Sequence, residues 1–133
     1  MRILIDTHKK LASALQKNIP EIDFALIFGS AAGGALKKSS DIDIGVYLNT
    51  PATEDLILEI VETVESIMHA ECDLCILNDA SEILRFEALK GRLLFVREDR
   101  MEEYASFYSI TCREYEDAVI WMKKQLAYRG YAQ

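Results

Sequence analysis

"FALIFGSAAGGALKKSSDIDIGVYL", residues 24–48, decides how the rest of the chain is interpreted. The stretch begins with an apolar run, continues through Gly29-Ser30 into a loop of small residues with two lysines, and ends in a second apolar run that contains Asp41 and Asp43. Near-continuous apolar runs of this length are typical of strands buried on both faces. The stretch therefore predicts two strands, with two carboxylates at the start of the second.

The two aspartates predict a cation site. Residues two apart in a strand project from the same face, so Asp41 and Asp43 stand side by side. Adjacent carboxylates repel each other, and burying them unpaired costs free energy. A divalent cation removes both costs, because Mg²⁺ takes oxygen ligands and usually combines one or two carboxylates with substrate phosphates. We therefore expect Mg²⁺ at these two residues.

Gly29-Ser30, where the first strand ends, predicts a contact with phosphate. A turn that exposes backbone N–H groups can cradle phosphate; glycine permits the close approach, and serine adds a hydroxyl donor. Lys37 and Lys38 follow in the connecting loop, where either can meet a polyphosphate. The P-loop motif is excluded, because Ala35-Leu36 stand where that motif requires Lys and then Ser or Thr.

The remaining chain alternates helices with strands, which predicts an α/β (α+β) fold with helices packed on a small mixed sheet of about four strands. We expect a single domain over residues 1–133, with a core of about 1–97 and a C-terminal helix of about 99–128. Pro51 is expected to open the second helix, and Asp79 with Glu82 to cap the third, which stops at Gly91. The expected strands are "IDFALIF" (22–28), "IDIGVYL" (42–48), "CDLCIL" (72–77) and "RLLFV" (92–96), and the first helix is "DTHKKLASALQKN" (6–18).

Composition limits the classes of function. The formal net charge of −7 argues against direct nucleic-acid binding, and it suits a basic protein partner or a nucleotide accompanied by metal ions. No apolar run approaches the ~20 residues that span a membrane, and the first residues lack a signal-peptide pattern, so a cytoplasmic protein is expected. Cys72 and Cys75 form a C-x-x-C inside a predicted strand, where their thiols point to opposite faces and are expected to be buried and reduced rather than metal-bound.

The last helix carries both core and interface candidates. Phe107, Trp121 and Tyr131 fall off its apolar stripe and are therefore candidates for a protein interface. A stripe at helical spacing is usually core. The residues of that stripe are Met101, Tyr104, Tyr108, Cys112, Tyr115, Val119, Met122 and Leu126.

Gly29-Ser30, ten intervening residues and Asp41-Ile42-Asp43 resemble the G-S-x10-D-x-D signature of the nucleotidyltransferase fold seen in DNA polymerase beta. The resemblance implies in-line nucleotidyl transfer with two Mg²⁺ ions and loss of pyrophosphate. It also implies a third carboxylate on a later strand. Asp73 is the candidate and Glu71, on the same strand face, is the alternative. Arg85 is expected at a solvated helix position, with a nucleotide contact left open.

The small size, with "CDLCILNDA" and "ILRFEALKGRLLFV", further resembles the minimal nucleotidyltransferase (MNT) antitoxins of prokaryotic HEPN/MNT toxin–antitoxin pairs. That resemblance implies transfer of AMP from ATP to a tyrosine hydroxyl of a HEPN ribonuclease toxin, which neutralises the toxin. One alternative is an antitoxin that blocks its toxin by stoichiometric binding alone. The other is a small-molecule nucleotidyltransferase that modifies an aminoglycoside-like alcohol.

Overall fold

A computed structural model describes residues 2–29 and 41–128 of the chain. After the first two strands, helices and strands alternate along the described residues, and a 3-10 turn, Glu98–Arg100, leads into the last helix. The elements are α1 (Arg2–Asn18), β1 (Ile22–Phe28), β2 (Ile42–Leu48), α2 (Glu54–Met68), β3 (Cys72–Ile76), α3 (Glu82–Leu89), β4 (Arg92–Val96) and α4 (Met101–Tyr128).

The four strands form one mixed sheet in the order β3-β2-β1-β4. Strand β1 pairs antiparallel with both β2 and β4, whereas β2 and β3 run parallel. The predicted fold class is therefore confirmed. The bounds of β1, β2 and β4 are those expected from the sequence, and β3 ends one residue early, at Ile76. The division of residues 1–133 into a core and a C-terminal helix within one domain stays a prediction.

Helices cover both faces of this sheet. Helices α1 and α2 pack on one face through Leu15, Ile60 and Val64, and α3 and α4 pack on the other through Ala88 and Phe107. Every residue of β1 is buried, because this strand lies inside the sheet between the two helix layers. A strand that is covered on both faces needs apolar side chains at nearly every position, which explains the near-continuous apolar sequence of β1.

The starts of α2 and α3 differ from the sequence prediction. The N-caps are Thr53 and Ser81, whose hydroxyl groups accept from the N–H groups of Leu56 and Leu84, both at 3.2 Å. The expectation that Pro51 opens α2 is therefore wrong, and so is the capping pair of Asp79 with Glu82. Both caps sit in extended backbone directly before the first helical turn, as a side-chain cap requires.

Helix α4 packs through a different line of side chains than its apolar stripe predicts. Phe107 and Thr111 are its buried residues, while Met101 at the start of the stripe is 56% exposed. The ring of Phe107 packs against Phe24 and Tyr47, with centroid distances of 5.2 and 5.6 Å. Only part of the stripe is core: the ring of Tyr104 packs against Phe24 with a centroid distance of 4.9 Å, whereas Met101, Tyr108, Met122 and Leu126 are exposed. The prediction of Phe107 as an interface residue is wrong, because its ring packs into the aromatic cluster on the sheet. Tyr131 lies outside the described residues.

The three cysteines are free thiols in the described residues. Cys72 packs against the core under α1 and α2, and Cys75 packs against the core under α3 and α4. The two thiols thus point to opposite faces of the sheet, as predicted. Across the part of the chain that the structure describes, no helix is long and apolar enough to cross a bilayer.

Candidate active site

Asp43 and Asp73 meet where the parallel strands β2 and β3 begin. Their Cα atoms are register partners across the two strands. Partial burial, the negative charge of Asp73, hydrogen bonding with Asp73 and the charge of Asp41 together raise the pKa of Asp43, burial contributing most. The pair is therefore suited to hold a proton or to bind a cation.

Asp41 lies one residue before β2 and is exposed. The next residue is fixed to the neighbouring strand, because the Ile42 N–H donates to the carbonyl oxygen of Glu71 at 2.7 Å. Among the described residues, Asp41, Asp43 and Asp73 form no ion pair with a lysine or an arginine. The start of β2 and β3 thus carries three carboxylates that no basic side chain of the described residues neutralises.

The register of β2 and β3 separates the two candidates for the third carboxylate. Asp73 is the residue opposite Asp43, whereas Glu71 precedes β3 and contacts β2 through its backbone carbonyl. The charge of Asp73 also contributes to the raised pKa of Asp43. The geometry thus favours Asp73, whose chemical role stays a prediction.

Gly29 borders the carboxylate pair at the end of β1. Its φ of +70° lies in the left-handed region that favours glycine, and a Cβ built there would collide with Oδ2 of Asp43. Glycine at this position therefore leaves room for the Asp43 carboxylate. Ser30, Lys37 and Lys38 lie outside the described residues, so their part in phosphate binding stays a prediction.

The fit of this edge to a metal ion rests on the chemistry of its donors. Within residues 2–29 and 41–128, no group of three or more His, Cys, Asp or Glu side chains is arranged to hold a metal ion. Adjacent oxygen donors with a raised pKa are nevertheless the set that a hard cation such as Mg²⁺ stabilises. Cys72 does not fit a metal, because burial and then the charges of Glu65, Asp73 and Asp43 raise its pKa to about 12.

Arg85 is not the solvated helix residue that the sequence predicted. Its Nε and Nη2 donate to the carbonyl oxygens of Leu77 and Asn78 at 2.8 and 2.6 Å, and its guanidinium group lies 5.3 Å from the ring centroid of Phe107. Together with Tyr47 and Ser106 it lines a cavity of about 320 Å³. The arginine thus fixes the turn after β3, an arrangement that sequence spacing does not reveal.

Sequence reasoning also missed Glu65, in the last turn of α2. Its Oε2 accepts a hydrogen bond from the Cys72 N–H at 2.8 Å, next to Asp73. In the sequence Glu65 is one of several acids on an amphipathic helix, and no local signal distinguishes it from Glu59 or Glu62.

Comparison with known proteins agrees with this geometry. Residues 9–100 match the family described as Polymerase beta, Nucleotidyltransferase. The chain belongs to that nucleotidyltransferase family. A curated relative, Protein adenylyltransferase MntA of Shewanella oneidensis, is 31% identical over 75 residues, which are 56% of this chain and 54% of the relative. The matched part of the chain thus spans about half the length of that relative.

Solved structures share the fold over nearly the whole chain. A chain in the crystal structure of a toxin–antitoxin with AMP-PNP has a TM-score of 0.72 at 22% identity, over 94% of this chain and 98% of that chain. A chain in the complex of a tri-AMPylated Shewanella oneidensis HEPN toxin with MNT antitoxin has a TM-score of 0.69 at 20% identity, over 97% and 99%. The predicted resemblance to the nucleotidyltransferase superfamily and to its minimal antitoxins is confirmed.

Proposed function

We propose that this nucleotidyltransferase is an antitoxin that acts as a protein adenylyltransferase. Its substrate is ATP, and its acceptor is a tyrosine hydroxyl of a HEPN ribonuclease toxin, which AMP transfer neutralises. The observation that carries the proposal is the placement of Asp43 opposite Asp73 on the parallel strands, with Asp41 beside the pair and Gly29 at its border. The relative MntA is named as a protein adenylyltransferase, which supports the choice of acceptor class.

The reaction exchanges one phosphate ester for another. The tyrosine oxygen attacks the α-phosphorus of ATP, the bond from that phosphorus to the bridging oxygen breaks, and pyrophosphate leaves. The tyrosine proton goes to the carboxylate of Asp73, which lies opposite Asp43. Residues after Gly29 in the connecting loop, Ser30 with Lys37 or Lys38, bind the phosphates in this proposal.

Asp41, Asp43 and Asp73 would hold Mg²⁺. When two such ions are bound, they supply charge stabilisation for the attacking and leaving oxygens. The support for this assignment is that the three carboxylates make no ion pair with a basic side chain in the described residues, although the charges of Asp41 and Asp73 both act on Asp43. Asp73 completes the second metal site or receives the tyrosine proton.

The test is transfer of label from ATP labelled at the α-phosphate to a purified HEPN toxin offered as the acceptor. We expect Mg²⁺-dependent label on a tyrosine, and no label with Asp41→Asn combined with Asp43→Asn. Asp6→Asn, an exposed acid on α1, is the matched control and should label the partner at the wild-type rate. Equal labelling by the double variant, or no labelling by the wild type, overturns the proposal.

A stoichiometric binding antitoxin is the second candidate function. The observation in its favour is the exposed apolar end of α4, where Trp121 is 65% and Tyr128 is 91% exposed. Exposed aromatic side chains are enriched at protein interfaces. Under this alternative the double aspartate variant still neutralises the toxin in cells, and Trp121→Ala does not. Under the enzymatic proposal the double variant loses neutralisation.

A further inference from the structure

Glu65 accepts two backbone hydrogen bonds that hold the connection from α2 to β3. Its backbone carbonyl accepts from the N–H of His69, at 2.9 Å, where the chain leaves α2 in a left-handed conformation with φ of 55°. Its side-chain Oε2 accepts from the N–H of Cys72, at 2.8 Å. One residue therefore bonds to the first residue of the three-residue turn and to the first residue of the strand that follows it.

The second of these bonds fixes the first residue of β3. Strand β3 lies at the edge of the sheet, with β2 on one side only, so β2 cannot satisfy every N–H of β3. The carbonyl of Glu71 pairs with the Ile42 N–H of β2, while the N–H of Cys72 goes to Glu65. The start of β3 is thus attached to β2 on one side and to α2 on the other.

Asp73 is the next residue along the strand and the register partner of Asp43. Its position beside Asp43 depends on where the backbone of Cys72 is held. A hydrogen bond from a backbone N–H to an ionised carboxylate is shorter and about twice as strong as a neutral one. The partly buried contact between Glu65 and Cys72 is of this kind.

We propose that Glu65 is a positioning residue that sets Asp73 against Asp43 for nucleotidyl transfer. The inference rests on the proposed function, and it adds a residue that touches neither ATP nor the acceptor. Displacement of a reacting group by about 1 Å can lower a rate on the order of 10²-fold. Loss of the acceptor for the Cys72 N–H should therefore reduce turnover more than it reduces nucleotide binding.

Three variants of α2 separate positioning from general support of the fold. Glu65→Ala removes the acceptor, Glu65→Gln keeps an oxygen that can accept the Cys72 N–H without the charge, and Glu62→Ala removes an exposed acid of the same helix. We expect Glu65→Ala to lower kcat for AMP transfer by about 10-fold or more, with KM for ATP within about 3-fold. Glu65→Gln should recover most of the lost kcat, and Glu62→Ala should match the wild type.

Two kinetic outcomes overturn the inference. One is a Glu65→Ala enzyme with wild-type kcat. The other is a change confined to KM or shared equally with Glu62→Ala, since a residue that supports only the fold produces no selective loss of turnover.

A second measurement needs no activity and keeps the two proposals distinguishable. In ¹⁵N-labelled protein, Glu65→Ala should accelerate hydrogen exchange at the Cys72 amide by about 10-fold or more and shift the Asp73 amide resonance. Glu65→Gln should leave exchange near the wild-type rate. If the wild type transfers no AMP and these amide effects appear, the proposed function fails while the positioning of Asp73 by Glu65 stands. Unchanged exchange in Glu65→Ala overturns the positioning.

Discussion

Asp43 links the chemistry of the site to the stability of the fold. Burial and the neighbouring carboxylates of Asp73 and Asp41 raise its pKa above the ordinary value of 3.8. The folded state therefore holds this proton more tightly than the unfolded state does. The resulting stabilisation is fully present below the ordinary pKa and is lost as the pH rises through the raised value. At neutral pH the ionised Asp43 carboxylate thus lowers the stability of the folded state, which is typical of residues retained for function.

Asp43→Asn should consequently stabilise the protein at neutral pH. The amide removes the repulsion with Asp73 and can still donate a hydrogen bond to it, so we expect Tm at pH 7.5 to rise by roughly 1–4 °C. The gain should shrink as the pH falls through the raised pKa towards the ordinary value. Calorimetry across this range measures the effect, with Asp6→Asn as the control. A lower Tm for Asp43→Asn at neutral pH contradicts the electrostatic account of this pair.

Gly29→Ala tests the space reserved for the Asp43 carboxylate. An alanine must adopt the left-handed conformation, which costs roughly 1–2 kcal/mol, and its Cβ must displace Oδ2 of Asp43. We expect a lower Tm together with a fall in kcat for AMP transfer of about 10-fold or more. Thermal unfolding and steady-state kinetics on the same preparation measure both. A variant with lower Tm and unchanged kcat would show that the carboxylate is not displaced.

At the scale of elements, the orientation of α4 on the sheet depends on contacts between segments that are distant in sequence. The sequence predicts which strand residues are buried, from the apolar run of β1 and from the alternation in β2. The sequence does not predict which side of α4 faces the sheet, because apolar residues occur all around this helix. Its orientation is set by the packing of Phe107 against Phe24 and Tyr47 of the sheet.

Phe107→Ala and Trp121→Ala form a matched pair on α4. Phe107 is 6% exposed within the aromatic cluster, whereas Trp121 is 65% exposed. We expect Phe107→Ala to lower the free energy of unfolding by about 3–5 kcal/mol, and Trp121→Ala to change it by less than about 0.5 kcal/mol. Urea unfolding curves measure both. Equal losses in the two variants would mean that α4 buries a different side than the one described.

At the scale of the whole molecule, charge should govern how quickly a partner is found. The chain has a formal net charge of −7, and its candidate site presents carboxylates without basic neighbours among the described residues. A basic surface on the partner would therefore be attracted over distances comparable to the Debye length. This attraction acts on the encounter more than on the lifetime of the complex.

The association rate constant with the proposed HEPN partner should fall by about 10-fold between about 50 mM and about 300 mM NaCl, while the dissociation rate constant changes far less. Stopped-flow fluorescence of Trp121, the single tryptophan of the chain, can measure both. An association rate that does not depend on salt would argue against electrostatic attraction and leave apolar contact by α4 as the recognition mechanism.

The sequence by itself determined the strands and the family. Apolar runs predicted the exact bounds of β1, β2 and β4. Gly29-Ser30 with Asp41 and Asp43 identified the nucleotidyltransferase signature. Both were visible in the sequence because they are local patterns. The starts of α2 and α3 were missed, because Thr53 and Ser81 compete with nearby residues that are equally plausible caps in sequence.

Only the tertiary structure decided which distant residues meet. The parallel register of β2 and β3 puts Asp73 rather than Glu71 opposite Asp43, and packing on the sheet turns Phe107 inward. Arg85 likewise bonds to carbonyl groups in the turn after β3, and Glu65 bonds to the N–H of the first residue of β3. Each of these contacts depends on how elements pair in space, and spacing along the chain carries no information about that pairing.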